Sequence, residues 1–249
     1  MGDEILLARL EELGKRSLYT GQVAFSRFLD LAGLSEVHKV AHSLNVPVRT
    51  YGGYHDAERR IAAFGVEEVT DAFPWPIVPL KLSWRTQFGT PGHRDILGAL
   101  MGLGFEREMI GDIVLSESWA CLFAEETMAD YIAVSLTSCG RVSVRCERMD
   151  SVPDLPPPAG RTVRETVSSL RLDAVLAAAL SLSRSEAARY IASGRVFVDQ
   201  SQTLKTDAGL KEGQIISIRG SGRIRLERVE GETRKGRLAI RVFLYGTGK

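Results

Sequence analysis

Residues 171–198, RLDAVLAAALSLSRSEAARYIASGRVFV, spell two helices, a tight turn between them and the start of a strand. Ser183 and Glu186 fit the S-x-x-E capping box just ahead of the second helix. That places Arg184 and Ser185 in its first turn, where unsatisfied backbone N–H groups and the positive end of the helix dipole favour an anion. A cation there is locally unfavourable, so Arg184 is expected to be neutralised by a phosphate. Arg189 lies one turn further on the same face. Ala187, Ala188 and Ile191 supply the buried side, and Gly194 ends the helix in a left-handed cap. Arg171 at the start of the first helix and Arg195 beyond the second converge on the same surface. The planar guanidinium fork suits phosphate better than a point charge does. Any one of these arginines reads as a solvated side chain; the set, in this order around a capping turn, reads as a phosphate-binding face. The expected contacts are Arg171, Ser183, Arg184, Ser185, Arg189 and Arg195, with Lys205, Arg219 and Arg223 from the basic segment that follows.

Outward from this stretch, strands are expected at Thr162–Val167, Val196–Asp199, Ile215–Arg219, Ile224–Val229 and Arg237–Tyr245, with a mobile turn at Glu230–Gly236. Residues 161–249 carry 17 Lys and Arg against 9 Asp and Glu, a surplus of +8, whereas residues 1–160 carry 15 against 22, a deficit of −7. A basic end on an acidic body points to a polyanion partner for that end. The two are separated by DSVPDLPPPAG at Asp150–Gly160, four prolines in eleven residues, which reads as an extended spacer.

The rest of the chain divides again near Phe73-Pro74-Trp75-Pro76. After it, strand-like Ile77–Trp84, helical Arg94–Leu103, strands Ile113–Leu115 and Trp119–Phe123, helical Glu125–Leu136 and the alternating strand Arg141–Arg148 give the order β-α-β-β-α-β of a ferredoxin-like plait. Before it, helices are expected at Glu4–Lys15, Ala24–Leu31, Ser35–Leu44 (with Ser35 as N-cap) and Tyr54–Phe64, and a strand at Val46–Tyr51. The whole is α+β: a small N-terminal α/β unit at 1–74, a ferredoxin-like, RRM-like plait at 75–150, a Pro-rich linker at 151–160, and at 161–249 a helix–turn–helix on a small β-sheet ending in a β-hairpin. Apolar residues at 44% and charged residues at 25% are the mix of an ordinary globular protein. Three cysteines with no C-x-x-C spacing argue against a disulfide scaffold or zinc ribbon. The start, MGDEILLARLEELGKRSL, is not a signal peptide, and no stretch approaches ~18 uninterrupted apolar residues, so the expected location is cytoplasmic with no membrane contact.

The segment 165–222 resembles the S-four RNA-binding domain, an αL-type helix–turn–helix module. Arg171-Leu172-Asp173, the Ser183-Arg184-Ser185 turn, Ala187, Ile191, Gly194-Arg195-Val196 with Val198, and Gly213-Gln214-Ile215-Ile216 carry the likeness. It departs at Asp199-Gln200, where an Asn-Gly-type turn is usual, which adds a negative charge near the RNA edge, and at Gln214, where Asp is common. Most of the preceding chain resembles the YlmH family, bacterial proteins with a terminal S-four domain. Tyr51-Gly52-Gly53-Tyr54, Ala57-Glu58-Arg59, the run Gly92-His93-Arg94-Asp95-Ile96-Leu97-Gly98-Ala99-Leu100-Met101-Gly102-Leu103-Gly104, Arg107-Glu108 and Gly111-Asp112-Ile113 carry it. The resemblance implies binding of rRNA and tRNA on the large ribosomal subunit, a part in rescuing stalled translation (ribosome-associated quality control), and genes that neighbour cell-division genes.

Nothing in the sequence reads as catalysis, and no cofactor, metal or small-molecule substrate is expected. Gly98, Gly102 and Gly104 have the wrong spacing for a dinucleotide loop and read as close helix packing plus a C-cap. His38 and His42 stand i, i+4 without a third ligand. An RNA-modifying enzyme is the weaker rival: a pseudouridine synthase needs a second R-L-D block followed by T-S-G, a tyrosyl-tRNA synthetase its HIGH and KMSKS segments, and neither is present. A cell-division interaction factor with incidental RNA affinity is the other.

Overall fold

The computed structural model describes residues 2–246, and the chain forms two compact units, Met1–Pro156 and Pro157–Lys249. In the first, helix α1 (Gly2–Thr20), strand β1 (Ala24–Phe25), helix α2 (Leu31–Leu44) and strands β2 (Val48–Tyr51) and β3 (Ile61–Phe64) make a small sheet in the order β1-β3-β2, antiparallel throughout. Two helices expected here are not formed. Ala24–Leu31 is β1 and a loop, and α2 starts earlier, capped by the Asp30 carboxylate accepting from the Gly33 N–H at 3.0 Å, while Ser35 is buried inside it. Tyr54–Phe64 is a loop that leads into β3. Ile61, Ala62, Ala63 and Phe64 are all fully buried because β3 is the central strand. A strand covered on both faces loses the period-two alternation, and the helix-forming Ala, Glu and Arg beside it supplied the wrong signal.

The plait follows as expected: β4 (Ile77–Ser83), α3 (His93–Gly102), β5 (Ile110–Leu115), β6 (Trp119–Glu125), α4 (Glu126–Ser135), a two-residue ribbon of β7 (Ser138–Cys139) and β8 (Val142–Ser143), then β9 (Arg145–Arg148). Its sheet runs β5-β6-β4-β9, all antiparallel. The strand expected over 141–148 is therefore split, but Val142, Val144 and Cys146 still turn inward to the core beneath α3 and α4. Gly98 and Gly102 do not serve close helix packing: nothing lies within 4 Å of where either Cβ would stand. Gly104, at φ 89°, does terminate α3. Burial pushes the thiols of Cys121 and Cys146 up to about 12 and that of Cys139 up to about 11, which leaves them protonated and unreactive at neutral pH.

The N-terminal sheet and the plait are joined through the Tyr51–Tyr54, Ala57–Arg59, Arg107–Glu108 and Gly111–Ile113 stretches. Asp112 accepts hydrogen bonds from the Tyr54 hydroxyl at 3.0 Å, the Glu58 N–H at 2.6 Å and the Arg59 N–H at 3.1 Å. Arg59 turns inward and donates to the carbonyls of Phe28, Ile110 and Arg107. Arg107 donates to the carbonyls of Ile110 and Gly111, and burial together with the charge of Arg59 pushes its guanidinium down to about 10. Phe25, Tyr51, Phe73 and Trp75 close the seam, with ring centroids 5.0–6.1 Å apart.

In the second unit β10 (Gly160–Val167) precedes α5 (Leu172–Ala179), α6 (Arg184–Ala192), β11 (Val196–Val198), β12 (Ser201–Gln202), β13 (Ile215–Ile218), β14 (Gly222–Glu232) and β15 (Leu238–Tyr245). The sheet is larger than expected: six antiparallel strands in the order β10-β15-β14-β13-β11-β12, because β10 pairs with β15 along its whole length. Leu172, Val175, Leu176, Ala187 and Ile191 of the helices pack on Val196, Ile216, Ile218, Ile224, Leu226, Ile240 and Val242 of one sheet face. The β14–β15 hairpin, with bulges at Leu226–Arg228 and Val229–Gly231, is closed at its turn by the Thr233 N–H donating to the Arg237 carbonyl at 2.7 Å. No helix among the described residues is long and apolar enough to cross a membrane.

Candidate nucleic-acid interface

The turn between α5 and α6 is built as its residues dictate. The Ser183 Oγ accepts from the Glu186 N–H at 3.2 Å, and the Glu186 carboxylate accepts from the Ser183 N–H at 2.8 Å and from its hydroxyl at 2.7 Å. The Ser185 Oγ lies 3.0 Å from the Ser183 Oγ. These hydrogen bonds from Ser183 hold the Glu186 carboxyl below its usual range. The box fixes Arg184 at the first helical position, and here the structure corrects the expected electrostatics. The charge of Arg184 is met by a protein carboxylate, Asp173, whose Oδ2 accepts from Nη2 at 2.5 Å. Arg171 binds the same carboxylate, Nε to Oδ1 at 3.2 Å and Nη2 to Oδ2 at 3.4 Å.

Asp173 is buried, its side chain 9% exposed, while Arg171 and Arg184 are 43% and 55% exposed. Burial alone would raise the Asp173 carboxyl. The hydrogen bonds and charges of Arg171 and Arg184 outweigh it and hold the carboxyl below its ordinary value. One buried carboxylate thus positions two guanidinium groups whose outer edges face solvent, and the trio keeps a net charge of +1. Sequence reading quoted Asp173 within Arg171-Leu172-Asp173 but gave it no role. Part of the signal was present, an acid in the first turn of an apolar helix two residues after Arg171; its bond to Arg184, eleven residues on, was not.

The loop after β12 is stitched to the same place. The Leu172 N–H donates to the Ala208 carbonyl at 2.9 Å, the Asp173 N–H to the Thr206 carbonyl at 3.0 Å, and Arg171 bridges Gly209. Exposed Lys205 stands on this loop, and exposed Arg189 stands on α6 one turn beyond Ser185. Arg195 lies at the end of the sheet. It donates through Nε and Nη2 to the Arg219 carbonyl at 3.1 and 2.7 Å, with its guanidinium 5.0 Å from the Tyr190 ring, and Arg219 itself is exposed. Arg223 does not join this group. Its strand neighbour Ile224 faces the helices, so Arg223 lies on the other sheet face, with its guanidinium 3.8 Å over the Tyr245 ring. The expected site therefore separates into the braced pair with its capping turn, the Arg195–Arg219 corner, and Arg223 on the far face.

The two departures from the S-four pattern bond to each other. Asp199 and Gln200, at φ 45° and 72°, form the two-residue turn of the β11–β12 hairpin. The Asp199 carboxylate accepts from the Gln214 Nε2 at 2.8 Å and from the Ile215 N–H at 2.9 Å. Both of its oxygens are turned onto the start of β13, so the negative charge expected near the RNA edge is engaged internally.

A plait of the RNA-recognition type followed by an S4 module with a solvent-facing arginine pair defines an RNA-binding protein. A family model described as "Putative RNA-binding domain in YlmH" matches residues 74–152, and the S4 domain model matches residues 170–216. Over 216 residues the chain is 35% identical to the ribosome-associated protein quality control protein P2 of Bacillus subtilis strain 168, covering 86% of this chain and 84% of that protein. The structure of the cell division protein ylmH from Streptococcus pneumoniae shares the fold, with a TM-score of 0.51 at 19% identity over 60% of this chain and 92% of that one. The chain belongs to the YlmH family.

Proposed function

We propose that this protein binds structured rRNA and tRNA on the large ribosomal subunit through the α5–α6 edge of its S4 unit and acts, in the cytoplasm, in the rescue of stalled translation. The observation that carries the reading is the Asp173 brace. It holds Arg171 and Arg184 ready beside the Ser183–Ser185 turn, so a phosphate meets guanidinium groups that have little freedom left to lose. The surplus of +8 on residues 161–249 supplies the longer-range attraction, and the ribosome-associated relative supplies the setting. Arg189, Lys205 and the Arg195–Arg219 corner extend the contact along the same edge, and Arg223 adds a contact from the far face. The reading is of a binding protein without a catalytic group, laid out as an N-terminal unit (1–74), a plait (75–150), a linker (151–160) and the S4 unit (161–249).

Sedimentation with large subunits across a salt series tests this. If about five phosphates are neutralised, log affinity falls against log salt with a slope of roughly −3.5 to −4.5. A slope near zero, or a protein that stays at the top of the gradient at low salt, overturns it. The second outcome is the one expected of a division factor with incidental RNA affinity.

A further inference from the structure

The plait sheet has two faces with different fates. Val78, Leu80, Leu82, Ala120, Leu122 and Ala124 pack under α3 and α4. The other face carries Pro79, Lys81 and Ser83 on β4 and, opposite them in register, Phe123, Cys121 and Trp119 on β6. Plaits that read single-stranded RNA stack bases on aromatic rings of this face. Here its central ring is taken by the chain itself. Phe123 is fully buried beneath Tyr54, the rings stacked at 5.2 Å and 19°, and the Tyr54 hydroxyl is anchored on Asp112. Gly53 makes the approach possible: at φ 98°, a Cβ there would stand 2.2 Å from the Phe123 ring. The Tyr51-Gly52-Gly53-Tyr54 motif therefore fills the place where a nucleobase would stack.

One edge of the face is only partly covered: Trp119 packs against the buried cluster of Phe28, Ile61, Cys121 and Phe123 without being buried itself. Trp119 is half-buried, with the Lys81 Nζ 5.4 Å from its ring centroid. Beside it Ser83 pairs in register with Arg145, whose side chain is 77% exposed. The ion pair of Arg145 with Glu147 at 2.7 Å lies at the surface, where such pairs contribute little and exchange readily. We propose that this edge is a second RNA site, in which Trp119 stacks one unpaired base of a single-stranded segment while Lys81 and Arg145 hold the flanking phosphates. An indole offers a large π face to any base, and a cation already seated on it can move to a phosphate without leaving the site. The inference rests on the RNA-binding reading above, but it concerns a different unit and a different form of RNA.

The test uses the full chain and a single-stranded oligouridylate, which has no helix for the S4 edge to grip. Ultraviolet crosslinking followed by peptide mapping is expected to place crosslinks on Ile77–Ser83 or Trp119–Glu125. Trp119→Leu, which keeps apolar bulk without a π face, is expected to weaken binding about tenfold, and Trp119→Phe to retain most of it. Crosslinks confined to residues 157–249, or unchanged affinity in Trp119→Leu, overturn the proposal; mapping on the unmodified chain decides even if a variant folds poorly. Failure of the S4 reading is seen separately, as loss of salt-sensitive sedimentation with large subunits.

Discussion

Asp112 and Asp173 are each an aspartate that organises arginines and backbone, with opposite results. Around Asp112 everything points inward: Arg59 is spent on three carbonyls, Arg107 on two, and the carboxylate receives two backbone N–H groups and a tyrosine hydroxyl. Around Asp173 the carboxylate is buried and the arginines are left half in solvent. The difference lies in what surrounds the acid. Asp112 stands between two sheets whose loop and edge carbonyls take up the guanidinium groups, whereas Asp173 stands in the first turn of α5, where the helix itself stabilises the carboxylate. The same residue types build a joint in one unit and a solvent-facing edge in the other.

The contrast breaks most visibly in stability. Arg59→Ala removes the buried guanidinium that joins the carbonyls of Phe28, Ile110 and Arg107, of which Ile110 keeps the Arg107 guanidinium and Arg107 the Ile110 N–H, and is expected to destabilise the Met1–Pro156 unit by about 3 kcal/mol. Urea unfolding reads this as an early transition of that unit, with structured-RNA affinity at the S4 edge unchanged. A cost below about 1 kcal/mol in the same experiment makes the joint ornamental.

Arg184→Ala sharpens the other half. It is expected to weaken binding to a structured rRNA fragment about tenfold or more, since a charge-assisted hydrogen bond contributes about 1.5–3 kcal/mol. Circular dichroism stays native, because alanine suits a helix and the Ser183–Glu186 box is untouched. Arg234→Ala removes the same charge from the exposed β14–β15 turn and is expected to cost less. Equal losses reduce the edge to bulk charge.

A smaller effect separates the two units by pH. The folded Asp173 carboxyl lies below its unfolded value, so its contribution to the stability of the S4 unit is complete above the ordinary aspartate value of about 4. The contribution is lost as pH falls from there through the lowered folded value. Thermal unfolding across this acid range is expected to show a slope for the S4 unit that Asp173→Asn flattens. An unchanged slope in the variant would place the proton uptake elsewhere.

What the sequence revealed follows from how local each signal was. The capping box, the two helices, five of the six strands of the S4 unit and the plait are written in neighbouring residues and were legible; β12 and the sheet order, set by long-range pairing, were not. The N-terminal unit was not: β3 is fully buried and reads without alternation, and the Tyr54–Phe64 helix was inferred from residues whose partners lie on another sheet. Gly98 and Gly102 were read as packing glycines and face open space. Arg184 and Asp173 are eleven residues apart on different helices, so their bond is set by how α6 returns against α5, which residue spacing does not record.

The central claim is that the S4 arginines act through position more than through summed charge, and Asp173→Asn tests it most directly. The substitution raises the net charge of the edge by one while keeping the side chain's size. Affinity for a structured rRNA fragment at moderate salt, with folding checked by circular dichroism, is expected to fall about fivefold, roughly 1 kcal/mol, as Arg171 and Arg184 lose their common anchor. Affinity that rises with the added positive charge, in a protein that remains folded, would contradict the account.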